Sequence, residues 1–242
     1  MKKTLTLLII LFLITLSFDV KAQKAKSLWI DLRGGLNTSF IVNQNAYGNG
    51  ELDYATTFGF TAGLGTSYFL TDVWGINASF TWAKIGQNYS GMQSSGDATR
   101  KVKLNYLELP LLAMRKIEGA KVPTWIAFGP ELMFLTGAKQ DYHRKDGGPL
   151  LKGENMLEGN TDIKERFKPV DIAMNITFSK MYDIYENSKF RLLITANMAY
   201  GLTDMNSKDW RIPNMKNKYD GSHNFYIGMK VGVMYRAFVK KD

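Results

Sequence analysis

His143 and His223 are the only imidazoles in the chain, and it contains no cysteine. That removes a disulfide framework, a thiolate metal site and a cysteine nucleophile. Two histidines without cysteine also make a poor zinc site. One local group has the residue types of a hydrolase: Asp220-Gly221-Ser222-His223 brings an acid, a hydroxyl and an imidazole together. Close neighbours in one loop rarely reach the nucleophile–base–orienter geometry that a triad needs. Asp146-Gly147-Gly148 reads as turn chemistry, because it does not lead into a helix as a phosphate-binding glycine loop does. The expectation is a chain without catalytic site, metal or cofactor, and so not an enzyme.

The residues that could act as a group are charges held at one parity. Taking every second residue yields eight apolar rows, the signature of strands with two unlike faces. They run Leu28 to Leu36, Phe58 to Tyr68, Trp74 to Trp82, Leu107 to Ala113, Ile126 to Phe134, Val170 to Phe178, Phe190 to Tyr200 and Phe225 to Tyr235; none contains a charged residue. The interleaved positions carry Asp31, Arg33, Glu108, Glu131, Asp171, Arg191, Lys230 and Arg236, along with much of the glycine.

Elements that position such a set must alternate along their length and close on themselves. Short links near Thr71–Val73, Arg115–Pro123 and Asp183–Ser188 alternate with long ones over roughly Thr38–Thr56, Gly86–Lys101, Gly137–Lys168 and Thr203–His223. Strands of about 9–11 residues cross a membrane when tilted by ~45°. The pattern predicts an all-β fold, an eight-stranded antiparallel up-and-down transmembrane β-barrel of the bacterial outer-membrane type. Both termini then lie on the short-turn, periplasmic side. Trp29, Trp74 and Trp125 are expected in an aromatic girdle at that rim, and Trp82, Phe134, Tyr200 and Phe225 at the other. A lipocalin-like barrel would turn the same apolar rows inward. The rim aromatics, matched strand lengths and one-sided long loops favour the membrane.

The averages alone look soluble. Of 242 residues, 45% are hydrophobic and 22% charged, and mean hydropathy is −0.19. These values exclude a disordered tail, a collagen-like repeat and a multi-span helical protein. Lys2 and Lys3, the apolar run from Leu5 to Leu16 and a site after Ala22 form a secretory signal over residues 1–22. Residues 23–242 would then form the barrel, exported to the outer membrane of a Gram-negative bacterium. The net charge of +9 raises nucleic acid as a partner, but the bases in the long loops are mixed with acids. Lys24, Lys26, Lys240 and Lys241 lie at the termini. No nucleic acid is expected; membrane lipid is, and anionic headgroups at the rim are one use for the charge.

Several ordered signatures resemble the PorT-like outer-membrane β-barrel family common in Bacteroidetes. Arg33-Gly34-Gly35-Leu36-Asn37 is similar to the family's opening Lys-x-Gly-Leu-Asn. Tyr106-Leu107-Glu108-Leu109-Pro110-Leu111 is the most specific match. Gly129-Pro130, Asp171 and Tyr200-Gly201-Leu202 follow in the family's order. Arg33 replaces the usual Lys, and Asn175 and Thr177 stand where glycine is common. The resemblance implies an eight-stranded barrel; name-bearing members are tied to the type IX secretion apparatus.

An eight-stranded barrel has an interior just wide enough for side chains to fill. Four acids and four bases sharing it must pair or stay wet. The expectation is a salt-bridge network that plugs the lumen, with hydrated charges in a narrow wet pore as the alternative. Pro110 cannot donate to a ladder, and beside Glu108 it suggests a bulge that aims the carboxylate inward, or a local pairing defect. The overall expectation is a monomeric structural or interaction platform working through its long third and fourth loops. An accessory secretion component and a narrow channel or ligand-binding barrel are the other readings.

Overall fold

The computed structural model describes residues 26–43, 53–93, 96–144, 159–185, 189–211 and 218–239. The leader assigned to 1–22, Lys24, Lys240, Lys241 and the Asp146-Gly147-Gly148 turn lie outside them. Ten strands follow in chain order: β1 (Ser27–Val42), β2 (Asp53–Ala55), β3 (Phe58–Phe69), β4 (Trp74–Gln93), β5 (Gly96–Ile117), β6 (Thr124–Arg144), β7 (Gly159–Asp162), β8 (Val170–Asp183), β9 (Phe190–Gly201) and β10 (His223–Val239). Eight of them close a ring, β1-β3-β4-β5-β6-β8-β9-β10, and β10 pairs back onto β1. Every pairing is antiparallel. The short β2 and β7 extend the wall at β4 and β6.

The predicted apolar rows face outward. Leu32, Leu36 and Phe58 are 64%, 68% and 73% exposed, while Asp31, Arg33 and Glu131 at the opposite parity are buried. So continuous an apolar exterior belongs in lipid, and it removes the lipocalin arrangement, in which these rows would line the cavity.

Three strands reach about twice the predicted 9–11 residues. The stretch read as a long link over Gly86–Lys101 is strand through Gln93 and again from Gly96, and β6 continues through Gly137 to Arg144. At ~3.3 Å per residue, the 20 residues of β4 span about 66 Å. An apolar band ~25 Å tall, crossed at a tilt of ~40°, uses only about 33 Å of that. Above the band the faces exchange character. Ala83, Ile85 and Tyr89 on β4 and Val102 and Leu104 on β5 point inward and are buried, whereas Lys84, Asn88, Lys101 and Lys103 point outward. Water outside the upper wall requires polar residues there, and the interior becomes largely apolar, with Gln87, Arg100 and Gln140 buried among the apolar side chains. A row of constant parity therefore stops being apolar where lipid ends, although the strand does not stop.

On β6 a bulge is superimposed on this exchange. Register shifts between Asn105 and Tyr106, leaving Thr136 as the extra residue, with its Oγ1 donating to the Asn105 carbonyl at 3.0 Å. Inward positions change from Glu131, Met133 and Leu135 to Ala138, Gln140 and Tyr142. The bulge expected at Pro110 is not there. Pairing is interrupted around it, yet Ala78↔Leu111 and Thr81↔Glu108 keep one register on one side, as do Pro110↔Glu131 and Ala113↔Phe128 on the other. Simple alternation points Glu108 inward.

The lower girdle also needs correction. Trp74 is 49% exposed and faces outward, but Trp29 and Trp125 are buried inside the ring. Both occupy the parity of the charged row, so they fill the lumen instead of meeting headgroups.

Candidate functional site

The inward residues form three layers, seen most plainly on β1, β5 and β6. Ascending β1 meets Trp29, then Asp31 and Arg33, then Ile41; ascending β6 meets Trp125 and Ala127, then Glu131, then Met133 and Leu135. Read upward, β5 presents Met114 and Leu112, then Glu108, then Tyr106 and Leu104. The lumen thus has an apolar floor, a polar belt and an apolar roof.

In the floor, Trp29, Phe69, Met114, Trp125, Met181 and Met234 pack together, and the Phe69 and Trp125 rings lie 4.7 Å apart. The two lowest expected lumenal bases lie here and not in the belt. Arg191 pairs with Asp183 at 2.5 Å and places its guanidinium 4.7 Å from the Trp29 ring. Arg236, opposite Trp29 beside a register shift, stacks at 5.6 Å on that ring and remains half-exposed at the lower opening. The bulge and the strand end carry it out of the central network predicted for it.

The belt holds the other six. Arg33 Nε lies 2.7 Å from Asp31 Oδ1. Gly65 makes this pair fit, since a Cβ there would collide with both the guanidinium and the carboxylate. Glu131 accepts hydrogen bonds from Tyr226 Oη at 2.6 Å and Asn175 Nδ2 at 2.5 Å. Glu108, Lys230 and Glu131 are buried within electrostatic reach of one another. Asp171 stands higher and is held by neutral donors, Thr203 Oγ1 at 2.5 Å and Asn224 Nδ2 at 2.8 Å. Asn224 also donates to Tyr106 Oη at 3.2 Å. A Cβ on Gly201 would sit against Asp171 Oδ2, so Tyr106, Asp171 and Gly201 of the family signatures converge on one spot. Gly129 and Pro130 fall in the pairing gap opposite Leu112 and Leu111, next to Pro110, and Tyr200 faces outward, its ring 5.6 Å from that of His223. Between floor and belt, beside Arg33, Asn77 and Thr177, the cavity measures about 10 Å³, room for about one water.

The roof combines strand residues (Ile41, Ile85, Leu104, Tyr142) with Ile163, Phe167 and Met205 from the segments crossing the mouth. Those segments are pinned by the Ile163 amide donating to the Ala138 carbonyl at 3.0 Å and the Lys168 amide to the Met205 carbonyl at 2.8 Å. Asp204 ties the mouth together. Its Oδ1 accepts from Tyr219 Oη (2.8 Å), Ser222 N (3.1 Å) and Asn206 N (3.2 Å), and Arg211 Nε lies 3.0 Å from Oδ2. Partial burial would raise this carboxyl, but the three donors and the Lys168 charge outweigh it and hold the group below 3.8. Burial and the same carboxylate push the Tyr219 hydroxyl up to about 12.

The hydrolase-like stretch is dispersed by this packing. Ser222 is buried and donates to the Asn43 carbonyl at 2.7 Å, His223 Nδ1 lies 3.0 Å from the Gly201 carbonyl, and Asp220 pairs with Lys218 at 3.0 Å. His143 is spent on Asp141 at 2.7 Å. Sequence reading misses several belt and roof residues: Tyr226 and Asn224, which share the parity of the charges, and Arg100, whose Nη2 donates to Gln140 Oε1 at 2.6 Å; it notes Asn175 only as a departure from glycine.

Comparison with solved structures finds Neisserial surface protein A at 10% identity, covering 88% of this chain and 99% of that one with a TM-score of 0.44. Ail of Yersinia pestis matches at 12% identity over 88% and 100% (TM-score 0.40), and OprG of Pseudomonas aeruginosa at 13% over 91% and 100% (TM-score 0.38). No curated protein matches the chain. The family model described as outer membrane protein beta-barrel domain matches residues 21–207. With that match across most of its length and a closed eight-stranded ring apolar on the outside, the chain belongs to the outer membrane protein beta-barrel domain family.

Proposed function

We propose that this is a non-enzymatic outer-membrane barrel that serves as a structural and interaction platform, acting as a monomer through the parts that rise above the membrane. The observation that carries the reading is the lumen packed between floor and roof. Among the described residues that packing leaves little room inside the ring, which supports work done at its surfaces. The raised wall of β4, β5 and β6 and the pinned mouth segments offer a rigid surface of the kind on which binding residues are usually displayed. Pairing of β10 with β1 leaves the ring no open edge to recruit a second copy, which supports the monomer. A narrow channel or a ligand-binding lumen is disfavoured by the same packing. A role beside a type IX-like secretion apparatus rests on the PorT-like signatures alone.

Photo-crosslinking in cells tests the platform. A photoreactive side chain replacing Ser90 or His143 on the raised wall is expected to form a discrete protein adduct, while one replacing Ile176 on the lipid face is not. A secretion component in that adduct would support the accessory role. Protein adducts at neither raised position would sink the platform reading.

A further inference from the structure

On the outer face just above the upper aromatics, the wall carries a cluster of lysines. Lys103 of β5 stands directly opposite Lys139 of β6. Lys84 of β4 is opposite Asn105 and so diagonal to Lys103, and Gly86, opposite Lys103, contributes no side chain between them. Like charges directly opposite on one sheet face repel, and local acids only partly relieve them. Asp141 lies 3.7 Å from Lys103 but is also opposite Lys101 and bonded to His143; Asp162 is opposite Lys139. Lys84 and Lys139 form no ion pair among the described residues.

Directly below, Trp82, Leu107 and Phe134 form the outward row. Beneath that row two depressions of about 450 and 460 Å³ open on the lipid face and share Thr66, Ala78 and Leu111. They lie where Pro110 interrupts the pairing of β4 and β5 and where Ala78 is small. From Phe80, on the wall of the upper depression, to Lys84 is about 13 Å along the strand. One leaflet of a ~30 Å hydrocarbon core is about as deep. Cations at headgroup height over an apolar groove, on the same strands, match both ends of one amphiphile.

We propose that the outer face of β4–β6 is a binding site for a phosphorylated lipid of the outer leaflet, its phosphate held by Lys84, Lys103 and Lys139 and its acyl chain lying over Ala78 and Leu111. The assignment rests on the barrel's place in the membrane and does not depend on any protein partner. Phosphate is the headgroup chemistry that three converging ammonium donors recognise as point charges.

The full chain, folded in phosphatidylcholine nanodiscs containing diphosphoryl lipid A, is extracted into mild detergent and examined by native mass spectrometry. Wild type is expected to retain diphosphoryl lipid A and to release its dephosphorylated form. Lys84→Gln/Lys103→Gln/Lys139→Gln should lower retention about tenfold with folding unchanged. Lys164→Gln/Lys208→Gln/Lys218→Gln, an equal charge loss at the mouth, should leave it intact. Ala78→Phe, which fills the groove, should also lower retention. Should that variant fail to fold, the two lysine variants decide. Equal retention of the dephosphorylated lipid, or of diphosphoryl lipid A by the first triple variant, would overturn the site. Displacement of the lipid by millimolar inorganic phosphate with no effect of Ala78→Phe would show a free-anion patch, and would equally overturn the lipid assignment.

Discussion

Replacing Ile176 by lysine and, separately, Ser90 by lysine tests where the membrane ends on this wall. Both side chains point outward. Ile176 lies near the middle of the apolar row of β8, opposite Phe128, which is 52% exposed to lipid. Ser90 is eight residues beyond Trp82, the last apolar outward residue of β4, or about 26 Å along the strand and about 20 Å in height at a ~40° tilt. A lysine at the bilayer midplane of a barrel costs ~2–4 kcal/mol, and one outside the band costs almost nothing. Ile176→Lys should therefore lose ~2–4 kcal/mol, and Ser90→Lys should stay within about 0.5 kcal/mol of wild type. Equilibrium folding into phosphatidylcholine vesicles, followed by tryptophan fluorescence against urea, measures both. No loss for Ile176→Lys would reverse the assignment of faces. A loss for Ser90→Lys similar to that for Ile176→Lys would refute the raised wall.

Other perturbations address the belt and the mouth. Glu131→Ala would remove the buried acceptor of Tyr226 and Asn175 and a negative charge near Lys230, and should cost about 3–5 kcal/mol in the same folding assay; Tyr226→Phe removes one donor and should cost ~1–3 kcal/mol. At the mouth, Asp204 is depressed on folding, so its ionised form stabilises the segments it ties. That contribution is complete above the unfolded carboxyl value near 3.9 and is lost as pH falls through the lower folded value. Hydrogen exchange of residues 204–211 and 218–222 should accelerate below about pH 4 in wild type. Asp204→Asn should show fast exchange at neutral pH and no acid-dependent step.

The lower half of the wall was legible because lipid outside and charge inside stamp opposite characters on alternate residues. Parity alone sends Asp31, Arg33, Glu108, Glu131, Asp171 and Lys230 inward, where they are buried, and the rule extends to Asn175, Asn224 and Tyr226, which occupy the same row. What defeated the reading was a change of solvent along a continuous strand. From Trp82 to Ala83 on β4, and from Leu107 to Tyr106 on β5, the apolar side passes from outside to inside with no break in the ladder. A search for one apolar row per strand therefore stops there and leaves the remainder as loop. On β6 the Thr136 bulge adds a second parity change. Trp29 and Trp125 misled for another reason. Their position at strand starts suits a girdle, but parity, which sends them inward, decides. Lys84, Lys103 and Lys139 could not be grouped from sequence, because only the ladders beyond the apolar band bring them side by side.

Floor and roof pack the lumen among the described residues, and single-channel recording in planar phosphatidylcholine bilayers shows whether they close it. Purified full-length protein should insert without producing steady conductance, apart from brief events as mouth segments loosen. A large, stable single-channel conductance from folded wild type would contradict the closed lumen and restore the wet pore.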